Sequence, residues 1–157
     1  MNTAVITTPI GNLLIEASDD QITSIRFTDE KESAVTRAIL VQAVQEFEEY
    51  FAGNRQEFNF PISAKGSSFQ EKVWHELQNI PYGQTISYQE LANRLGDPNC
   101  VRAAASANGK NLLAIVVPCH RVIGSDGSMT GYAGGLDRKK SLLRLERAEI
   151  MNQIDLF

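Results

Sequence analysis

The chain has little of what builds metal sites, disulfide frameworks or membrane anchors. Its 157 residues include only two cysteines and two histidines. Cys100, Cys119, His75 and His120 show neither a C-x-x-C nor an H-x-x-x-H spacing, so no metal site is expected. No apolar run approaches the roughly 18 residues that span a bilayer. The segment from Met1 to Pro9 lacks the basic and apolar regions of an export signal. A cytoplasmic location is therefore expected, with both thiols reduced. Basic residues are in the minority, 15 Lys and Arg against 19 Asp and Glu, which argues against a surface coated with phosphate-binding charge. The distribution modifies that reading. Residues 1–85 carry six basic and twelve acidic side chains, whereas residues 86–147 carry nine and five. An acidic first half and a basic second half leave nucleic acid open as a partner of the second.

The apolar content, 43%, is ordinary for a globular chain of this length, whether one domain or two small ones. Turn signals at Pro9-Ile10-Gly11 and Ser18-Asp19-Asp20 separate three short runs, Ala4–Thr8, Asn12–Ala17 and Ile22–Phe27, which predict an antiparallel meander. Val35, Ile39, Val44, Phe47 and Phe51 form an apolar stripe and predict a helix over 32–51. Phe58–Ile62 is a candidate strand, and a boundary is expected near residue 65. Helices are then predicted from Ser68, from the capping-box pattern Ser87-Tyr88-Gln89-Glu90 and from Asp97-Pro98 to Gly109. The last two, joined by a Gly-containing turn, suggest a helix-turn-helix. The small side chains of Ala103–Ala107 suit either tight internal packing or close approach to another surface, with Arg102 as its probe. Leu112–Val117 reads as a buried strand leading into Pro118-Cys119-His120-Arg121, and a last helix is expected from Asp137.

A cysteine is most often inert filler, and reactivity needs a base, a cation or a helix N-terminus nearby. His120 is adjacent in sequence, but neighbours on a strand point to opposite faces. A bridging water or a turn would be needed for the two to cooperate. Glu146 falls inside the apolar arc of Leu142, Leu143 and Ile150 on a helical wheel, where a carboxylate needs a partner. Arg121 and His120 both qualify, the latter as in a nucleophile–base–carboxylate triad. Asn111 is either a turn former or a brace for the cysteine turn.

These residues resemble the O6-alkylguanine-DNA alkyltransferases, also called methylated-DNA–protein-cysteine methyltransferases. Pro118-Cys119-His120-Arg121-Val122-Ile123 carries the resemblance, with Tyr82-Gly83, Ser87-Tyr88, Arg102-Ala103, Gly109-Lys110-Asn111, Gly131-Tyr132-Ala133-Gly134-Gly135 and Leu145-Glu146 around it. It extends from about Phe69 to Glu146. The resemblance implies an α/β (α+β) fold, with a ribonuclease-H-like N-terminal domain of small sheet plus helix over 1–65. A winged-helix-type helix-turn-helix domain for DNA binding and catalysis would span 66–150, with a tail over 151–157. It implies DNA repair by stoichiometric transfer of an alkyl group from guanine O6, and secondarily thymine O4, to Cys119. No cofactor is implied, and the partner is double-stranded DNA met by a monomer. Residue by residue, Cys119 would be the nucleophile, His120 its water-mediated base, Glu146 the group that orients His120, and Asn111 the brace. Arg102 would fill the gap left by the flipped base, and Tyr88 would assist rotation and protonate the departing guanine. Val122, Tyr132 and Ala133 would line the pocket. Leu112 replaces a proline common in the family, Ala105 a glycine, and Ala133 a serine seen in some members. A non-enzymatic alkyl-lesion binder is the alternative, although such relatives typically carry tryptophan where Cys119 stands.

Overall fold

The computed structural model describes residues 2–155, which divide into two compact units. One comprises residues 1–65 together with Leu112–Ala114, the other residues 66–111 and 115–157. Residues 156 and 157, the end of the expected tail, lie outside the described part.

The first unit is a meander of β1 (Thr3–Thr8), β2 (Gly11–Ser18) and β3 (Gln21–Thr28), paired antiparallel in the order β1-β2-β3. Asp19 and Asp20 both take positive φ, 51° and 59°, the twist that a two-residue hairpin loop requires and that aspartate tolerates. Helix α1 (Ala38–Phe51) packs on the sheet through Ile39, Leu40, Ala43, Phe47 and Tyr50. It is shorter than the predicted 32–51 because Ser33 is taken by the free edge of β1. Its amide donates to Val5 O and its hydroxyl accepts from Val5 N. Phe47, Tyr50, Phe51, Phe58 and Phe60 form an aromatic cluster, and the buried Glu46 accepts from the Asn59 amide at its rim.

Two predicted strands shrink to single bridges on β3. Ile62 pairs with Ile22, and Leu113 with Ile25. Apolar runs specify burial, but a strand also needs its polar backbone groups paired in a ladder. In the 112–117 run, Leu113, Ile115 and Val117 are buried, yet the backbone turns at Ala114–Val116. Ile115 has φ +74°, a costly conformation for a β-branched residue, and the Val117 carbonyl is taken by the Asn111 side chain at 2.7 Å.

The second unit contains α2 (Ser68–Leu77), β4 (Ile86–Ser87), α3 (Tyr88–Arg94), α4 (Val101–Gly109), β5 (Val122–Ile123), α5 (Leu136–Leu145) and α6 (Glu149–Asp155). The reciprocal capping box sits at Ser67 and Gln70 of α2. At α3 Ser87 caps the Glu90 amide, but the Glu90 carboxylate turns to Arg94 instead of closing the box. Asp97 does not cap α4. Its side chain accepts from Asn99 N and its carbonyl from Cys100 N, so it closes the turn between the helices. Trp74 ties α2 to α4 by donating from Nε1 to Ala107 O at 2.8 Å. Strands β4 and β5 pair in parallel, Ile86 with Val122 and Ser87 with Ile123. This sets the start of α3 beside the Cys119 turn.

The wheel that spotted Glu146 assumed one helix, whereas the structure has two. Helix α5 ends at Leu145, and the tail expected from 151 is instead the body of α6, anchored by Met151 in a cluster with Ile123, Met129, Leu143 and Ala148. The break is a Schellman motif: Ala148 N donates to Leu143 O and Arg147 N to Arg144 O. Its left-handed position, usually glycine, is Arg147 at φ +55°. Relief of that strain is expected to make Arg147→Gly more stable by about 1 kcal/mol, measured by urea unfolding. No gain would mean that Arg147 contacts offset the backbone cost.

Candidate active site

Cys119 sits in a turn held from both sides. Pro118, with φ −82° and ψ 64°, closes an inverse γ-turn in which Cys119 N donates to Val117 O at 2.8 Å. A 3-10 helical turn over Cys119–Arg121 follows. Asn111 Nδ2 donates to Val117 O, and Asn108 Nδ2 to Cys119 O at 3.4 Å. The turn also answers the geometric objection raised by the sequence, since Cys119 and His120 are not alternating residues of a strand.

Behind the turn lies a buried ionic cluster. Glu146 Oε2 is 2.9 Å from His120 Nε2 and accepts from Arg121 Nη2 at 3.0 Å, while Oε1 accepts from Arg121 Nε at 2.8 Å. Both partners that the sequence left open are therefore engaged. Arg121 also donates to Ile80 O at 2.7 Å and lies over the Tyr82 ring. Burial alone would raise the Glu146 pKa, but the charge and hydrogen bond of His120, joined by those of Arg121, hold the carboxyl well below the usual carboxylate range. With an ionised carboxylate facing Nε2, the neutral imidazole keeps its proton there. Nδ1 is then an acceptor, buried and without a protein partner among the described residues.

The Cys119 thiol is 7% exposed. Burial pushes its pKa up, while hydrogen bonding from Asn111 and the Lys139 ammonium pull it down. Lys139 is a charged residue of this site that the sequence reading missed. It is fully buried and donates to Val122 O at 2.6 Å and Thr130 O at 2.7 Å, and burial depresses its pKa to about 8. The signal was available: at 100° per residue it falls at about 60° on the wheel, inside the arc that holds Glu146.

Tyr88 donates to Thr130 O at 3.1 Å, and its pKa is raised by burial and by the nearby Cys119. Gly131 beside it has φ +69°, and a Cβ there would stand 3.1 Å from the Tyr88 hydroxyl. Burial also raises Tyr132 well above its ordinary value. Val122 is fully buried and contributes its carbonyl to Lys139. Arg102 and Ala133 are exposed. Arg102 shares the outer face of α4 with Ala103 and Ser106, whereas Ala104, Ala107 and Asn108 face inward. The small residues on the inner side serve internal packing, and those on the outer side leave an exposed face of little bulk.

A helix-turn-helix unit built around a cysteine, a histidine and a buried glutamate, following a small sheet-and-helix unit, defines a DNA-binding protein with thiol chemistry at its centre. The profile of the 6-O-methylguanine DNA methyltransferase DNA-binding domain matches residues 68–148, and that of its ribonuclease-like domain residues 1–64. A methylated-DNA–protein-cysteine methyltransferase of Mycolicibacterium paratuberculosis is 46% identical, covering 97% of this chain and 96% of its own. The constitutive enzyme of that name from Bacillus subtilis is 43% identical over 89% and 92%. The crystal structure of the Mycobacterium tuberculosis O6-methylguanine methyltransferase superposes with a TM-score of 0.84 at 39% identity, covering 93% and 92%. That enzyme has also been solved in complex with DNA. The chain belongs to the 6-O-methylguanine DNA methyltransferase family.

Glu146→Gln would leave Arg121 buried without its counter-charge, and a loss of about 3–5 kcal/mol in urea unfolding is expected. The carboxyl is depressed on folding, so its contribution is complete above the ordinary value of 4.5 and disappears as pH falls below it. The wild type should therefore lose stability in acid more steeply than the variant. For Lys139→Met, loss of the ammonium should raise the pH midpoint of Cys119 alkylation by iodoacetamide. One unit of thiol pKa would slow the reaction about tenfold at neutral pH. An unchanged profile would reduce Lys139 to a brace between two carbonyls.

Proposed function

We propose that this chain repairs alkylated DNA by moving an alkyl group from guanine O6, and less readily from thymine O4, onto Cys119. The observation that carries this reading is the imidazole of His120: one nitrogen is fixed by Glu146, and the other is free to take a proton. Family membership supplies the substrate class, since the relatives are named for methylated DNA.

The exposed face of α4 suits close backbone approach to DNA, with Arg102 occupying the space of a nucleotide rotated out of the duplex. The flipped base enters beside Val122, Tyr132 and Ala133. The Cys119 proton passes through a water to His120 Nδ1, and Glu146 balances the imidazolium. The thiolate attacks the alkyl carbon, a C–S bond forms, and the C–O6 bond breaks with its electron pair going to guanine. The Tyr88 hydroxyl, protonated at neutral pH as any tyrosine is and made harder to ionise by burial, holds a proton for the departing base. A neutral guanine is a better leaving group than its anion.

Burial of the thiol favours the uncharged form until the lesion is seated. The thioether product has no good leaving group, so each molecule acts once. A thiol nucleophile also fits the reducing cytoplasm. Among the described residues no helix is long and apolar enough to cross a membrane.

Incubation with duplex DNA containing one O6-methylguanine, followed by intact mass and peptide mapping, tests the reading. One methyl group on Cys119, saturating at one per molecule and absent in Cys119→Ala, is expected. Tight lesion binding without a mass change would replace it with the damage-marking alternative.

A further inference from the structure

The inner face of α4 carries a polar residue that the mechanism above does not use. Asn108 is 1% exposed. Its Nδ2 donates to the Cys119 carbonyl, but its Oδ1 is buried and meets no protein donor among the described residues. His120 Nδ1 is in the same condition. The two orphans flank one peptide bond, because the carbonyl held by Asn108 is the one that joins Cys119 to His120.

Their chemistry narrows what satisfies them. An amide oxygen only accepts hydrogen bonds. Nδ1 of a neutral His120 also only accepts, because the Glu146 carboxylate fixes the imidazole proton on Nε2. Two acceptors cannot bond each other, and leaving both buried and unpaired is costly. A single water has two protons to give and keeps its lone pairs for a third group. The Cys119 thiol, on the residue whose carbonyl Asn108 holds, has a proton to offer.

We propose that Asn108 Oδ1 and His120 Nδ1 together hold the water that relays the Cys119 proton, making Asn108 a positioning residue for the transfer. The assignment rests on the function proposed above and adds a second anchor to the relay. With one water proton committed to Asn108, the other points at Nδ1 and a lone pair faces the thiol. As the S–H bond breaks, its proton goes to the water oxygen and the water's own proton passes to Nδ1. The relay thus ends with thiolate, water and imidazolium, and no net change in protons. Without Asn108 the water rotates about its bond to His120, and its lone pair is no longer aimed.

A high-resolution crystal structure of the protein should show one ordered water within hydrogen-bond distance of both atoms. Asn108→Leu keeps similar bulk and removes the acceptor together with the weak bond to Cys119 O, so the pH profile and the crystallographic water, rather than the rate alone, report on the relay. It is expected to slow single-turnover methyl transfer ~10-fold, a fraction of what a general base contributes. It should also raise the pH midpoint of Cys119 alkylation by iodoacetamide, which the Lys139, Tyr88, Tyr132, Arg121 and Glu146 groups around the thiol are left unchanged to report. Binding to lesion DNA, measured with Cys119→Ser present, should stay within about twofold, since Asn108 faces away from the exposed side of α4. A site without the shared water, or a water bound by His120 alone, overturns the assignment. So does a folded Asn108→Leu protein with wild-type rate and pH profile. Should that variant not fold, the crystal structure decides. If wild-type Cys119 accepts no methyl group, the functional reading fails. If it does and no shared water is present, only the role of Asn108 fails.

Discussion

The second unit depends on one buried carboxylate. Glu146 is nearly free of solvent, and an ion in that position is tolerable only with close counter-charges. Arg121 supplies the counter-charge through two bonds, and His120 adds a hydrogen bond to the carboxylate. With His120 neutral, the Glu146–Arg121 pair is already balanced. A proton accepted at Nδ1 therefore leaves the cluster with net positive charge beside a thiolate. The arrangement does not generate thiolate at rest, since burial keeps the thiol pKa raised. In the proposed transfer it would lower the cost of forming the thiolate as the proton moves. Arg121 extends the same constraint outward through Ile80 O and the Tyr82 ring. Tyr82 in turn donates to Leu145 O at 3.2 Å, next to Glu146 itself.

The cluster keeps its position because the chain around it is pinned at points where it would prefer otherwise. The Schellman break after Glu146 uses a strained arginine, and the approach to Cys119 uses a strained isoleucine. Each departure is held by hydrogen bonds in the adjoining turn, from Ala148 and Arg147 at the first and from the Asn111 side chain at the second. Strain at such positions persists where the surroundings over-determine the backbone. Lys139 does comparable work for the following loop, joining Val122 to Thr130 by their carbonyls. Its ammonium, pushed down to about 8, still faces the thiol as a cation at neutral pH.

Much of this was legible in the sequence, and the exceptions have physical causes. Strands β1 to β3 were marked by turn residues and the short runs between them, and Glu146 by its place in an apolar arc. The 112–117 run misled because burial and strand geometry are separate properties: Leu113, Ile115 and Val117 are buried and Leu112 is exposed, while one side chain, Asn111, takes the carbonyl a ladder would need. Asp97-Pro98 misled because an aspartate that caps a helix and one that closes a turn use the same oxygen on the same kind of amide. Lys139 was overlooked since a lysine is read as surface by habit, although its helical position was interior. Asn108 is harder. Its value lies in an unused oxygen, and no spacing rule reports where a hydrogen bond is missing.

Helix α4 explains why the residues of one short segment are so unlike each other. Its outer face offers Arg102, Ala103 and Ser106, side chains small enough for a backbone to come close, plus one long cation. Its inner face buries Ala104 and Ala107 where α4 packs on α2 and α3, and bulk there would strain the Trp74 bond to Ala107 O. The last inward residue, Asn108, and Asn111 just beyond the helix both bind the Cys119 turn through its carbonyls. A surface suited to DNA and the brace of the reactive thiol are thus two sides of one rigid element, separated by about one helix diameter of roughly 10 Å. A displacement of α4 on seating against a duplex would be felt directly at Val117 O and Cys119 O. Attachment through two amide side chains transmits that movement better than apolar contact would, because a hydrogen bond fixes direction as well as distance. The Cys119 turn is therefore held by the same element whose outer face the proposed function turns toward DNA.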